Sequence, residues 1–237
     1  YAKDIAIEAK KHGIKSVYVS NGFESSEVID DMKGLIDAVN IDLKCFSQSY
    51  YKSNLGGNLN QVLQNLKHFK KNDIWLEITT LLVPGKNDSK DELEKIAKFI
   101  KEELDEFTPW HISSIHPDYK DMHIPHTSID SLQMAYKIGK EAGLKYVYIG
   151  NTSLQNDTLC PNCNHTVLKR NRFEVIENNI KNGKCSKCNY KIQGVYPKMK
   201  TIRKTGFSGS FYPDNKEEIL KYIEEFNKQT TINGVFN

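Results

Sequence analysis

Four of the five cysteines fall in two short pairs, CPNC at 160–163 and CSKC at 185–188. Two knuckles of this kind bring four thiolates onto one tetrahedral site, the ligand set of structural Zn²⁺; the same ligands hold iron that passes electrons. The chain opens on YAKDIAIEAKKHG, which has no signal-peptide shape, so paired cysteines favour a metal over disulfides and a reducing, cytoplasmic setting. Asn164 and Asn189 directly follow the two knuckles, and Asn tolerates the positive φ that a tight reversal around a metal demands. Cys160, Cys163, Cys185 and Cys188 are therefore candidate ligands of zinc or iron. A ribbon of about 35 residues has too little core to fold alone, so bound metal is expected to supply much of its stability. Cys45 stands apart from both pairs and reads as a buried, inert thiol.

A second set of residues is polar where a barrel interior is ordinarily aliphatic. Side chains alternate faces along a strand. In 39–44 this puts Val39, Ile41 and Leu43 on one face and Asn40, Asp42 and Lys44 on the other. In 76–82 Leu76, Ile78 and Leu82 oppose Glu77 and Thr79; in 110–113 Trp110 and Ile112 oppose His111 and Ser113. Burying such groups without partners costs roughly 1–3 kcal/mol each, and more for charges. A face that is polar on three successive strands implies a ligand cavity at the carboxyl ends of the strands. The bland alternative is an ion-pair network in which Asp42 and Lys44 pair with each other or with Glu77.

The elements that must position these residues alternate. Helical periodicity covers 2–12, 24–36, 58–71, 89–105 and 128–142. Strand-like runs follow at Val17–Ser20, Val39–Leu43, Leu76–Val83, Trp110–Ile115 and Tyr146–Ile149. Such alternation predicts parallel strands joined by crossover helices, in a barrel or an open sheet. KKHGIKSVYVSNG (10–22) resembles GKEAGLKYVYIGN (139–151), with Gly13 or Gly143 where a helix ends and Asn21 or Asn151 after the strand. Three domains are expected: an α/β barrel segment at 1–153, the four-cysteine ribbon at 154–197, and a basic linker with the start of another domain at 198–237. In the last, Asp214 and Glu217 suit the capping box of a short helix over 214–227.

The totals exclude other classes. The 237 residues carry 33 basic and 30 acidic side chains, net charge +3, which argues for no nucleic-acid partner. No apolar run approaches the ~20 residues that cross a bilayer, so no membrane partner is expected either.

VSNG (19–22), NIDLK (40–44), TTLLVPGKND (79–88) and PWHISSIHPDY (109–119), in this order, resemble the radical S-adenosylmethionine (radical SAM) enzymes related to pyruvate formate-lyase activase. More closely, together with the cysteine tail, they resemble the radical SAM member of the AmmeMemoRadiSam system, and GFSGSFYPDNKEEIL (206–220) resembles the opening of the Memo family. The resemblance implies a partial (βα)6 barrel followed by a zinc-ribbon or rubredoxin-like module. It also implies two cofactors, S-adenosylmethionine and a [4Fe-4S] cluster, and reductive cleavage to a 5′-deoxyadenosyl radical that abstracts hydrogen from a substrate, a protein being one candidate. Ser20, Asn21 and Gly22 then match the turn near the methionyl group. Lys44 is the candidate for the methionyl carboxylate, with Asp42 orienting it or a cation. Glu77 and Thr79 match the substrate-facing wall, and His111 and His116 match adenosyl or substrate contacts. Other components of the system, the Memo-like one included, are the implied partners.

The sequence departs from the family in two places. The cluster motif C-x-x-x-C-x-x-C is absent, and the chain begins without Met inside a helical pattern, so a fragment is expected whose cluster ligands lie upstream. Val19–Ser20 stands where the activase relatives carry an acid and Thr, which weakens any cation site at that turn. Two other functions compete: a barrel enzyme using Lys44 as a Schiff-base amine, and a non-enzymatic zinc-ribbon adaptor. His123 and His126 read as surface histidines, Trp75 and Trp110 as packing, and Tyr119 as a group that could close over the cavity.

Overall fold

Each core helix presents an apolar stripe at helical spacing. In α4 (Leu59–Lys71) the residues turned inward are Leu59, Val62, Asn65, Leu66 and Phe69; in α5 (Lys90–Phe99) they include Leu93, Ile96 and Ala97. Side-chain caps start these helices: Asn58 accepts from the Gln61 N–H, and Ser89 from the Glu92 N–H. The other helices are α1 (Ala2–Lys11), α2 (Ser26–Met32), α3 (Gln48–Asn54) and α6 (Ile129–Glu141). The computed structural model describes residues 2–118, 122–154, 156–171 and 174–196. The expected helix over 214–227, the Memo-like stretch and Tyr119 lie outside them.

Between the helices run β1 (Val17–Ser20), β2 (Ala38–Asp42), β3 (Trp75–Leu82), β4 (Trp110–Ser114) and β5 (Val147–Gly150), all parallel, in the order β1-β2-β3-β4-β5. Sequential order is the winding of a barrel segment; a doubly wound sheet would reverse its order at a switch point. The sheet is thus the expected parallel α/β arrangement. Sequence periodicity missed α3, whose QSYYKSN turns only Tyr51 inward. The helix expected over 89–105 is α5 continued without a break by a π-helix, Ile100–Leu104. Gly13 and Gly143 both take positive φ just beyond their helices, as their repeated context predicts.

One sheet face is buried: Val39, Ile41, Leu43, Leu76, Ile78, Leu82, Trp110 and Ile112 form the core with the helices. The opposite face is the polar one. Register sets Asn40 beside Glu77, and Asp42, Thr79, His111 and Tyr148 in one lateral row.

The cysteine segment adds an antiparallel sheet of β6 (Thr158–Leu159), β7 (Thr166–Asn171) and β8 (Glu174–Asn178), and a hairpin of β9 (Ile180–Lys181) and β10 (Lys184–Cys185). Its core of Cys160, Val167, Cys185 and Ile192 packs with Tyr146, Phe107 and Tyr148 of the sheet domain. Residues 2–196 belong to one compact unit. Among the described residues no helix is long and apolar enough to cross a membrane.

Candidate functional site

The best-braced candidate residue is Lys44, just past the carboxyl end of β2. Its N–H donates to the Tyr51 hydroxyl at 3.1 Å, and its carbonyl accepts from Asn87 Nδ2 at 2.6 Å. Burial pushes the Tyr51 phenol up to about 12, so this hydroxyl stays protonated at neutral pH. Buried Asn87 also donates to the Leu81 carbonyl (2.8 Å) and accepts from the Val83 N–H (2.7 Å), locking the VPGKND loop to the ends of two strands. The Lys44 ammonium donates to Asp42 Oδ2 at 2.8 Å, with both side chains about a third exposed at 36%. The pair is reachable from solvent and rigidly mounted.

Beside it, Thr79 Oγ1 donates to Asn40 Oδ1 at 2.7 Å. Glu77 is fully engaged: Oε1 accepts from the Trp75 indole N–H at 2.9 Å, and Oε2 lies 2.7 Å from His111 Nε2. Burial works to raise this carboxyl, but the hydrogen bond and charge of His111, the Trp75 N–H and the Arg170 charge outweigh it and hold it below the ordinary Glu range. Trp75 thus hydrogen-bonds across the polar face, beyond its expected role in packing. Asp42 pairs with Lys44, as the ion-pair alternative supposed, while Glu77 pairs with His111.

The turn after β1 is set differently. Register places Val19 beside Asn40 and Ser20 beside Ile41, so Ser20 lies on the helix-facing side. Ser20 Oγ donates to Glu24 Oε1 and accepts from the Gly22 N–H. Asn21 is exposed, with Oδ1 accepting from the Phe23 N–H at 3.1 Å. Gly22 has φ +75°, and a Cβ there would stand 2.6 Å from Ile41 Cγ2. Buried Asn65 donates to the Gly22 and Glu24 carbonyls at 2.9 and 2.8 Å, and so clamps the turn to α4. His116 is exposed beyond β4, its ring 5.1 Å from that of His126. The structure therefore gathers Asp42, Lys44, Glu77, Thr79 and His111 on one face, and leaves Ser20 at the end of β1 on the other face and Asn21, Gly22 and His116 in loops at the strand ends.

Sequence reasoning missed Tyr51, Asn87, Asn65, Tyr148 and Arg170. Asn87 lay within the quoted VPGKND and Tyr148 within the quoted GKEAGLKYVYIGN, while Asn65 and Arg170 act through partners more than ten residues away.

In the ribbon the four Sγ atoms of Cys160, Cys163, Cys185 and Cys188 lie within 4.8 Å of one another. The Cys160–Cys188 separation is 3.5 Å and the Cys163–Cys185 separation 3.8 Å. A tetrahedron with metal–sulfur bonds of about 2.3 Å has edges of about 3.8 Å, so the donor set fits one metal ion. The two knuckles are equivalent: Asn164 N–H reaches the Cys160 carbonyl and Asn189 N–H the Cys185 carbonyl, each at 2.9 Å. Asn164 and Asn189 take φ +55° and +61°, the expected left-handed reversal. Cys45 is fully buried in the apolar core and belongs to neither knuckle.

Residues 1–100 match the profile of the Radical SAM superfamily. An uncharacterized protein of Methanocaldococcus jannaschii is 38% identical over 196 residues, 81% of this chain and 58% of that protein. The (2S)-3-sulfopropanediol sulfolyase activating enzyme of Bilophila wadsworthia is 28% identical over 102 residues, 42% of this chain and 34% of its own length. The chain thus spans between about a third and three fifths of these relatives. A domain of the pyruvate-formate lyase-activating enzyme from Bacteroides vulgatus shares the fold at TM-score 0.54 and 19% identity, over 63% of this chain and 89% of that one. Residues 1–100 are thus similar to the radical SAM superfamily, and the homologues of the α/β portion include activating enzymes.

Proposed function

We propose that this chain is part of a radical SAM enzyme whose polar sheet face binds S-adenosylmethionine at the carboxyl ends of the strands. The carrying observation is the Asp42–Lys44 pair: solvent-reachable, braced through Tyr51 and Asn87, and within the segment that matches the superfamily. In this reading Lys44 takes the methionyl carboxylate and Asp42 orients the ammonium, while Thr79 and His111 line the wall beside them. The family's iron–sulfur cluster supplies the electron for cleavage of the cofactor. These 237 residues do not fit that cluster: four cysteines form the ribbon and Cys45 is sealed in the core. The ligands of such a cluster would be cysteines other than these five.

Relatives named as activating enzymes support a protein substrate. The ribbon and the Memo-like residues 206–220 support a place in the AmmeMemoRadiSam system, with zinc as the ribbon metal and the reducing cytoplasm as the compartment. A Schiff-base role for Lys44 has less support, because an amine used that way is typically desolvated, whereas this one is paired and a third exposed. Anaerobic calorimetry of the full-length protein with S-adenosylmethionine tests the reading: saturable binding supports it, and no binding sinks it.

A further inference from the structure

The ribbon meets the polar face at Tyr148. Arg170, on β7, donates from Nη1 to Thr158 Oγ1 at 2.7 Å and to the Asn156 carbonyl at 3.1 Å, and its N–H donates to Asp157 Oδ1 at 2.9 Å. So held, its guanidinium lies over the Tyr148 ring, 5.6 Å from the centroid. The Tyr148 hydroxyl lies 3.0 Å from the same Thr158 oxygen. The Tyr148 ring in turn stacks on His111, with centroids 5.1 Å apart and planes 23° apart, and His111 meets Glu77 at 2.7 Å.

The other end of this chain of contacts is the metal site. Thr158 stands two residues before Cys160, and Val167 of β7 is packed in the ribbon core with Cys160 and Cys185. The strands that carry Thr158 and Arg170 are short, with six residues in β7 and two in β6. A sheet that small takes its geometry from the metal and the few side chains packed around it.

We propose that the four-cysteine ribbon is a positioning module for the polar face. Arg170 is a positioning residue that holds Tyr148, through it the His111 imidazole, and through that the Glu77 carboxylate, so that occupancy of the metal site sets the geometry of this wall. These contacts exist whether or not the polar face binds S-adenosylmethionine.

The test uses the full-length protein loaded with zinc. Ring ¹H–¹⁵N correlations of His111, assigned by their loss in H111A, are compared among wild type, R170A and R170K, with bound zinc measured in each. In zinc-loaded R170A the His111 signals move; stripping zinc from the wild type with a chelator moves the same signals, and R170K returns them part of the way. Unchanged His111 signals in zinc-loaded R170A overturn the proposal. Coupling between two sites is reciprocal, so removing the stack must weaken the metal. In a chelator competition H111A therefore loses zinc affinity by roughly fivefold or more, and wild-type affinity in H111A likewise overturns the proposal. This second arm decides alone where R170A sheds its zinc.

Discussion

Lys44 Nζ and Asp42 Oδ2 meet at 2.8 Å on the polar face of β2, with both side chains open to solvent at 36%. An ion pair this exposed contributes at most about 1 kcal/mol to folding, so its removal reads on binding far more than on stability. Replacing Lys44 by Met is expected to weaken S-adenosylmethionine binding about 10- to 100-fold, the loss of one charged hydrogen bond of roughly 1.5–3 kcal/mol. D42N has a smaller effect, since it disturbs only the orientation of the ammonium. Titration calorimetry on both variants, with thermal melts beside it, checks this. Equal affinities in wild type and K44M would remove Lys44 from the site.

Asn87 is expected to couple stability and binding. N87A leaves the Lys44 and Leu81 carbonyls and the Val83 N–H without their side-chain partner. These groups are only partly buried, so each costs no more than roughly 1 kcal/mol, against the roughly 1–3 kcal/mol of a fully buried unsatisfied group, and urea denaturation shifts to lower midpoints. Because the same side chain braces the Lys44 backbone, the folded fraction of N87A also binds S-adenosylmethionine more weakly. A destabilised variant with unaltered affinity would make Asn87 a purely structural clamp.

At Gly22 two costs coincide. The residue sits at φ +75°, and an added methyl group would enter the space of Ile41 and Val62. G22A is accordingly expected to lose roughly 2–4 kcal/mol, from left-handed strain and overpacking together. G34A, at φ +72° with open space around its Cβ, isolates the backbone contribution and loses less. Paired denaturation curves that show equal losses would contradict the packing argument.

Metal removal should act first on the ribbon. Its buried core is small, centred on Cys160, Val167, Cys185 and Ile192, so a domain this size leans on its metal. Chelation, or C160S with C185S, is expected to collapse protection of amides in 158–192 in hydrogen exchange, while β2 and β3 retain theirs. Metal analysis should show the double variant short of the wild type by one ion per chain. Ribbon amides that stay protected without metal would show that packing alone suffices.

How far the sequence reaches is clearest on β2 and β3. Strict alternation of Val39, Ile41 and Leu43 with Asn40, Asp42 and Lys44 identifies both the strand and its two faces, because one face is buried under helices and the other is not. The knuckles were equally readable, down to the positive φ of Asn164 and Asn189, since thiolate geometry dictates the local turn. In β1 the same alternation misleads. Val17 and Val19 are apolar yet strongly exposed, so the strand's turn residue Ser20 falls on the helix side. The Arg170–Tyr148–His111 stack left no pattern at all. It joins residues from separate elements, and packing rather than local periodicity brings them together.

The most direct test of the central claim is an anaerobic assay of the full-length protein for 5′-deoxyadenosine, with dithionite as reductant and iron measured on the same sample. The account predicts bound iron in excess of the single ribbon metal, S-adenosylmethionine-dependent release of 5′-deoxyadenosine, and loss of that release in K44M. A protein that holds only the ribbon metal and releases no 5′-deoxyadenosine would contradict it, and would leave the polar face to some other chemistry.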